Sequence, residues 1–227
     1  MLLSTAFCPP VEYFAVLAGY SSVCLEACEN YAKQSWRNRC RILSANGPLD
    51  LSFPIIHDGA RLITEVRVEY DTPWVRKMEK AVDSAYESSP FFEYYRDGFY
   101  AILDSKPEKL WELNLLIINW LCGRIGISPE IRFTEEYKDA GGLGSPGSLS
   151  QNIPLPGLSL PSGRTTAPSG LDLREAIHPK RQNTILREMG LERPYWQVFG
   201  EKFGFVPGLS VLDLLFNEGP ESICWLK

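Results

Sequence analysis

The first quarter of the chain combines short apolar runs with one helical pattern. Apolar residues dominate 2–7, residues 11, 14, 17 and 18 fall on one face of a helix, and a second apolar run covers 22–25. Continuous apolar runs of this length are typical of strands buried on both faces, and a helix between two such strands favours parallel pairing. The pattern therefore predicts an opening β-α-β unit.

Strand-like alternation continues in the next part of the chain. Polar and apolar residues alternate over 39–43 and 49–53, and Asn46-Gly47 between these runs is a strong hairpin signal. Alternation over 62–70 predicts a further strand with one solvent-exposed face. A hairpin pairs antiparallel, so together with the β-α-β unit we expect a mixed sheet.

Helical periodicity begins at Pro73, which suits the first turn of a helix. Apolar stripes over 74–86, 92–102 and 110–121 predict a helical portion at about 73–125. Short C-terminal helices are predicted over 195–203 and 211–216. The fold class predicted from these patterns is α/β.

The spacing of Ser210 and Asp213 matches a capping box at the start of the last predicted helix. Such a cap stabilises the free N–H groups of the first helical turn. A capping role for Asp213 is therefore favoured over a role as catalytic acid.

Composition predicts one domain over residues 1–227. A chain of 227 residues with 44% hydrophobic residues can bury a sizeable core. Residues at about 138–170 are rich in Gly, Ser and Pro, which predicts a flexible loop. Long loops of this kind are either lids over functional sites or mobile connections, and a mobile connection is favoured here.

Charge and hydropathy exclude several classes of function. A net charge of -5 argues against general nucleic-acid binding but leaves room for a local cationic pocket. The longest apolar run, 113–122, is shorter than the roughly 20 residues that a membrane span needs. Because the N-terminus also lacks the pattern of a signal peptide, we expect a cytoplasmic protein with no transmembrane segment. The oligomeric state stays open.

A polar stretch, residues 26–42, follows the second predicted strand and leads into the hairpin. The carboxyl ends of parallel strands share one edge of a sheet, where ligands bind in open α/β folds. If Arg37, Arg39 and Arg41 lie on one strand, all three point to one face and can hold phosphate or carboxylate. The alternative is a solvated face whose cations pair with nearby acids: Asp50, Glu65 and Glu69.

The predicted site joins ligand-binding and catalytic candidates. Glu26 ends the second strand, and His57 ends an apolar run before a turn, so either could act as a base. An exposed turn histidine is an equally good interpretation of His57. Two histidines and no C-x-x-C pair predict no metal site, and no motif predicts a cofactor. The predicted ligand-binding residues are Asn30, Lys33, Trp36, Arg37, Asn38 and Arg39.

Five segments, in this order along the chain, resemble the WbqC-like protein family. They are S-T-A-F-C-P-P-V-E-Y-F, K-Q-S-W-R-N-R-C-R-I, L-S-F-P-I-I-H, S-P-F-F-E-Y-Y and L-S-V-L-D-L-L-F-N-E-G-P-E. The resemblance covers nearly the whole chain. Many members carry a Gln-Pro pair in the first strand and two adjacent acids after the second, whereas this chain has Ser4-Thr5 and separates Glu26 from Glu29.

The resemblance implies a role in bacterial surface-polysaccharide (O-antigen) biosynthesis. The implied activity is that of a transferase, with aminoacyl or glycyl transfer to a sugar as one form. Its partner would be an anionic small molecule, either a nucleotide sugar or an acyl donor. The alternative is a non-catalytic ligand-binding or assembly protein of the same pathway. A base within reach of the arginines, Glu26 or His57, would favour the enzyme.

Overall fold

The computed structural model describes residues 1–138 and 171–227, and its architecture is α/β. The predicted loop at about 138–170 lies outside the described residues except for Lys138. The strands are β1 (Leu2–Leu3), β2 (Ser22–Leu25), β3 (Arg39–Ser44), β4 (Gly47–Ser52) and β5 (Glu130–Phe133). The helices are α1 (Val11–Gly19), α2 (Trp74–Tyr86), α3 (Phe92–Asp104), α4 (Leu110–Ile125), α5 (Ile185–Glu188), α6 (Gly200–Phe203) and α7 (Val211–Glu218).

The N-terminal β-α-β unit is confirmed. Strands β1 and β2 pair in parallel, with Leu2 opposite Cys24, and α1 connects them. Strand β5 pairs in parallel with the other side of β2, and Asp172 forms a parallel bridge to Leu2 on the outer side of β1. All of these segments therefore end at the same edge.

Strands β3 and β4 form the predicted hairpin, with Gly47 at a φ of +104° in its turn. In the described part of the chain, the antiparallel pair and the parallel strands belong to separate sheets. The predicted strand over 62–70 is wrong, because only isolated bridges occur there. The chain turns instead at Leu62, whose carbonyl accepts the N–H of Glu65, and this turn buries Ile63 out of the predicted alternation.

The helical portion follows the predicted stripes closely. Leu113, Ile117 and Leu121 of α4 are fully buried in the core. Gly126 ends α4 at a φ of +81°, and its N–H donates to the Cys122 carbonyl, as expected of a glycine C-cap. None of the helices in residues 1–138 and 171–227 is long and apolar enough to cross a membrane.

Candidate functional site

Polar side chains gather where the parallel strands end. Residues after β1, β2 and β5 meet there because parallel strands present their carboxyl ends to one edge. The chain that follows the Asp172 bridge reaches the same place. The residues at this edge are Ser4, Thr5, Glu26, Glu29, Thr134 and Arg174.

Glu26 is fully buried in a network of hydrogen bonds and charges. Its Oε1 accepts from the Thr134 hydroxyl and from the Cys28 N–H, and its Oε2 lies 3.3 Å from Nη1 of Arg174. Nη2 of Arg174 also lies 2.6 Å from Oδ2 of Asp172. Every charge in this network therefore has a partner, which fits a structural role.

Arg37 and Glu29 form a second buried pair beside Ser4. Nε and Nη2 of Arg37 donate to the two carboxylate oxygens of Glu29, at 2.9 and 2.5 Å. The Ser4 hydroxyl donates to Glu29 Oε2 at 2.8 Å. Burial raises the pKa of Glu29, and the hydrogen bonds and charge of Arg37 oppose this shift. The pair ties the polar stretch to the end of β1.

Arg37 does not share a strand with Arg39 and Arg41, which was the condition for a common cationic face. Arg37 belongs to a short 3₁₀ turn, Trp36–Asn38, and β3 begins only at Arg39. Arg39 and Arg41 do alternate on β3, and both reach Asp50 of β4, at 3.5 and 2.6 Å. Asp50 is one of the acids that the alternative interpretation named.

The other predicted site residues are spread over the surface and the hairpin. Asn30, Lys33 and His57 are exposed. Asn38 accepts from the Tyr31 hydroxyl and donates to the Phe53 carbonyl, so its amide is used within the fold. The structure does not bring Glu26 or His57 into either of the two cavities described next.

The first cavity, here called the inner cavity, has a volume of about 20 Å³. This is room for roughly one water molecule. Its wall includes Ser4, Thr5, Arg37, Arg174 and His178. The Thr5 hydroxyl is buried and has no hydrogen-bond partner among the described residues. The inner cavity therefore has several polar groups on a largely apolar wall and is too small for a substrate in this conformation.

The second cavity, here called the outer cavity, meets the inner one at Trp36 and His178. Its volume of about 510 Å³ is in the range of small-molecule sites. Aromatic side chains contribute to the wall, among them Trp36, Tyr195 and Trp225. Five cations face two carboxylates, Glu12 and Glu192. The five cations are Arg41, Lys180, Arg181, Arg187 and Arg193.

The cations of the outer cavity differ in their partners. Arg41 pairs with Asp50, and Arg181 lies 3.1 Å from Glu175. The Arg193 guanidinium lies over the Trp225 ring, 4.8 Å from its centroid. Arg187 is exposed and has no ion pair within the described part of the chain. The outer cavity can therefore supply positive charge to an anionic ligand.

Glu12 is a carboxylate of the outer cavity that was not predicted from the sequence as a site residue. It lies in the first turn of α1, where an acid is ordinarily explained by the helix dipole. Only 7% of Glu12 is exposed, and its Oε2 has no hydrogen-bond partner among the described residues. Burial raises the pKa of Glu12, while its own N–H and Asn183 oppose the shift. No sequence pattern separates this residue from an ordinary first-turn acid.

Asp213 is not the predicted helix cap. The Ser210 hydroxyl caps α7 by accepting the Leu212 N–H, as expected. The Asp213 carboxylate instead accepts from Tyr86 at 2.9 Å and from Tyr195 at 2.7 Å. Burial raises the pKa of Asp213 to about 6. Because Tyr195 lines the outer cavity, Asp213 fixes part of the cavity wall.

Metal ligands do not converge on this site. Within residues 1–138 and 171–227, no three His, Cys, Asp or Glu side chains come together in a way that could hold a metal ion. The groups that line the outer cavity are five cations, two carboxylates and aromatic side chains. These groups suit the binding of an organic anion.

The matches to known proteins cover nearly the whole chain. The model of the WbqC-like protein family matches residues 5–224. A protein of Mycobacterium tuberculosis (strain ATCC 25618 / H37Rv), described as "Uncharacterized protein Rv1507c", is 25% identical over 238 residues, which cover 100% of this chain and 96% of that protein. No solved structure matches the chain. The family match thus spans Thr5, Glu12, Trp36 and Arg187.

Proposed function

Because the chain belongs to the WbqC-like protein family, we propose that it is a transferase of bacterial surface-polysaccharide (O-antigen) biosynthesis. Its substrate is an anionic small molecule, a nucleotide sugar or an acyl donor, and aminoacyl or glycyl transfer to a sugar is one form of the reaction. The pathway and the reaction class rest on the family resemblance. The binding of an anion is supported by the site itself.

The observation that carries the proposal is the outer cavity, where three cations without a carboxylate partner among the described residues, Lys180, Arg187 and Arg193, line the wall with two carboxylates, Glu12 and Glu192. A chain with a net charge of -5 places this local excess of positive charge beside aromatic surface. Guanidinium groups bind phosphate and carboxylate through paired hydrogen bonds, and indole rings can stack on a base or a sugar. Positioning and electrostatic stabilisation of the leaving group would supply most of the rate.

The roles of the residues follow from their placement. Arg187 has no ion pair in the described part of the chain and is the foremost anion contact. Trp36 stays a ligand contact, as predicted from the sequence, since it lines both cavities. Arg37 belongs to the wall of the inner cavity but is engaged with Glu29. Its role in the proposal is to shape the site.

A non-catalytic binding protein of the same pathway is the second candidate. It is favoured by one observation, that neither Glu26 nor His57 lines the cavity that holds the cations. An enzyme that uses this cavity needs its base elsewhere on the wall. Binding and turnover must therefore be measured separately.

The test is a thermal-shift screen with nucleotide sugars, acyl donors and amino acids, followed by turnover assays on each hit. Arg187→Ala should remove most of the shift given by anionic hits. Arg61→Ala is the matched control, because Arg61 is also exposed but lines neither cavity. Equal shifts in both variants would overturn the outer cavity as the anion site. Binding without turnover across the screen would favour the second candidate.

A further inference from the structure

Glu12 is an unusual feature of the outer cavity. It is a carboxylate on a mostly cationic wall, it is 7% exposed, and its Oε2 has no hydrogen-bond partner among the described residues. A buried polar atom without a partner carries a cost in free energy, so such atoms are rare in folded proteins. A ligand in the outer cavity that donates a hydrogen bond to the Glu12 carboxylate would offset part of this cost.

The charges around Glu12 favour one of two hydrogen-bond donors that a ligand could carry, an ammonium group or a hydroxyl group. An ammonium group would pair with the carboxylate, but it would also enter a cavity whose wall carries three cations without a carboxylate partner among the described residues, and like charges repel. A hydroxyl group is neutral and meets no such repulsion. The hydroxyl is therefore the better partner for the Glu12 carboxylate.

The cations of the same wall specify the rest of the ligand. A phosphate group satisfies guanidinium and ammonium groups such as Arg187 and Lys180, which line the cavity together with Glu12. The ligand would then carry a hydroxyl and a phosphate at different ends. A cavity of about 510 Å³ has room for both groups on one small molecule.

We propose that the outer cavity binds a hydroxyl-bearing phosphate of the sugar-phosphate type, with a ligand hydroxyl donating to Glu12 and the phosphate contacting Arg187. This inference rests on the proposed function for the presence of an anionic substrate, and it narrows that substrate to the phosphorylated class. Glu12 then determines specificity, because it makes the protein bind a phosphate that carries hydroxyl groups more tightly than inorganic phosphate.

The experiment measures dissociation constants by calorimetry for glucose 1-phosphate, glucosamine 1-phosphate and inorganic phosphate. Wild-type protein should bind glucose 1-phosphate about tenfold more tightly than phosphate, the effect of one hydrogen bond to a charged group. It should also prefer glucose 1-phosphate to the amine-bearing probe.

Glu12→Met is the decisive variant, because it removes the acceptor as well as the charge at similar side-chain size, so a purely electrostatic role and a hydrogen-bonding role predict different results. Removing a negative charge should tighten the binding of inorganic phosphate in either case. If Glu12 accepts the ligand hydroxyl, the preference for glucose 1-phosphate over phosphate should fall by about tenfold. An unchanged preference, or a wild-type preference for the amine-bearing probe, would overturn the inference.

The two proposals fail in different ways. If the wild-type protein binds an acyl donor but none of the three phosphates, the further inference is wrong and the proposed function stands. If it binds no anion of either kind, both are wrong. Arg187→Ala should weaken all three phosphates alike, which checks that the probes occupy the outer cavity.

Discussion

The two cavities differ in how their charges are balanced. Around the inner cavity, Glu29 pairs with Arg37, and Arg174 is shared by Glu26 and Asp172, all of them buried. In the wall of the outer cavity, Glu12 and Arg187 have no ion pair within the described part of the chain. Buried charges that are paired hold the fold together, whereas unpaired charges remain available to a ligand.

The largest effect is expected for Arg37→Ala. This change leaves the buried Glu29 carboxylate without its cation, and breaking a buried pair from one side costs about 3–5 kcal/mol. The free energy of unfolding from urea denaturation measures the loss. Arg41→Ala is the control, because its pair with Asp50 is partly exposed and is worth about 1 kcal/mol or less. Similar losses in the two variants would contradict the division between the cavities.

The next effect is expected for Asp213→Ala, a change at the residue that lies behind Tyr195 of the outer cavity wall. Asp213 forms no ion pair with the described residues but accepts from the hydroxyls of Tyr86 and Tyr195. Its removal leaves the buried Tyr86 hydroxyl without an acceptor, at a cost of about 1–3 kcal/mol. Asp213→Asn keeps an acceptor and should lose less.

The stability of the wild-type protein should also depend on pH through Asp213. Burial raises the pKa of Asp213 from its ordinary value of 3.8 to about 6. Because the folded protein holds this proton more tightly than the unfolded chain, the contribution of Asp213 to stability decreases as pH rises from about 4 to about 6. Asp213→Asn should remove this part of the pH dependence. An identical pH profile in the variant would contradict the assignment.

Much of the fold could be predicted from local pattern, because the pattern and the packing agree there. The apolar stripes of α2, α3 and α4 and the Asn46-Gly47 turn are local signals, and the structure confirms them. The strand predicted over 62–70 does not form, because the chain turns at Leu62 and buries Ile63 despite the alternating pattern. Alternation alone does not show where a chain bends.

The candidate site was less predictable, since the pairing of its charges depends on the tertiary structure. Glu26 looked like a free acid, but its partner Arg174 lies 148 positions away in the sequence. Arg37 looked like an anion-binding residue, but it is turned toward Glu29 by the 3₁₀ turn before β3. Glu12 looked like an ordinary first-turn acid. Only the tertiary structure shows which charged side chains form ion pairs and which do not.

A smaller effect is expected for Glu12→Gln in the absence of ligand. Burial raises the pKa of Glu12, which means that the ionised form is less stable in the folded protein than in water. The variant should therefore be more stable than wild type by about 1 kcal/mol at pH 8. This gain should shrink as pH falls and Glu12 takes up its proton in the folded state. A stability loss at pH 8 would show that the carboxylate has a structural partner.

The smallest effect on stability is expected for Arg187→Ala. Arg187 is exposed and forms no ion pair with the described residues, and exposed substitutions of this kind change stability by about 0.5 kcal/mol or less. Urea denaturation without ligand should give the wild-type value, although the same variant loses its response to anions. This separation of binding from stability is the opposite of the result expected for Arg37→Ala. If Arg187→Ala destabilised the ligand-free protein by several kcal/mol, the cations of the outer cavity would belong to the fold, as those of the inner cavity do.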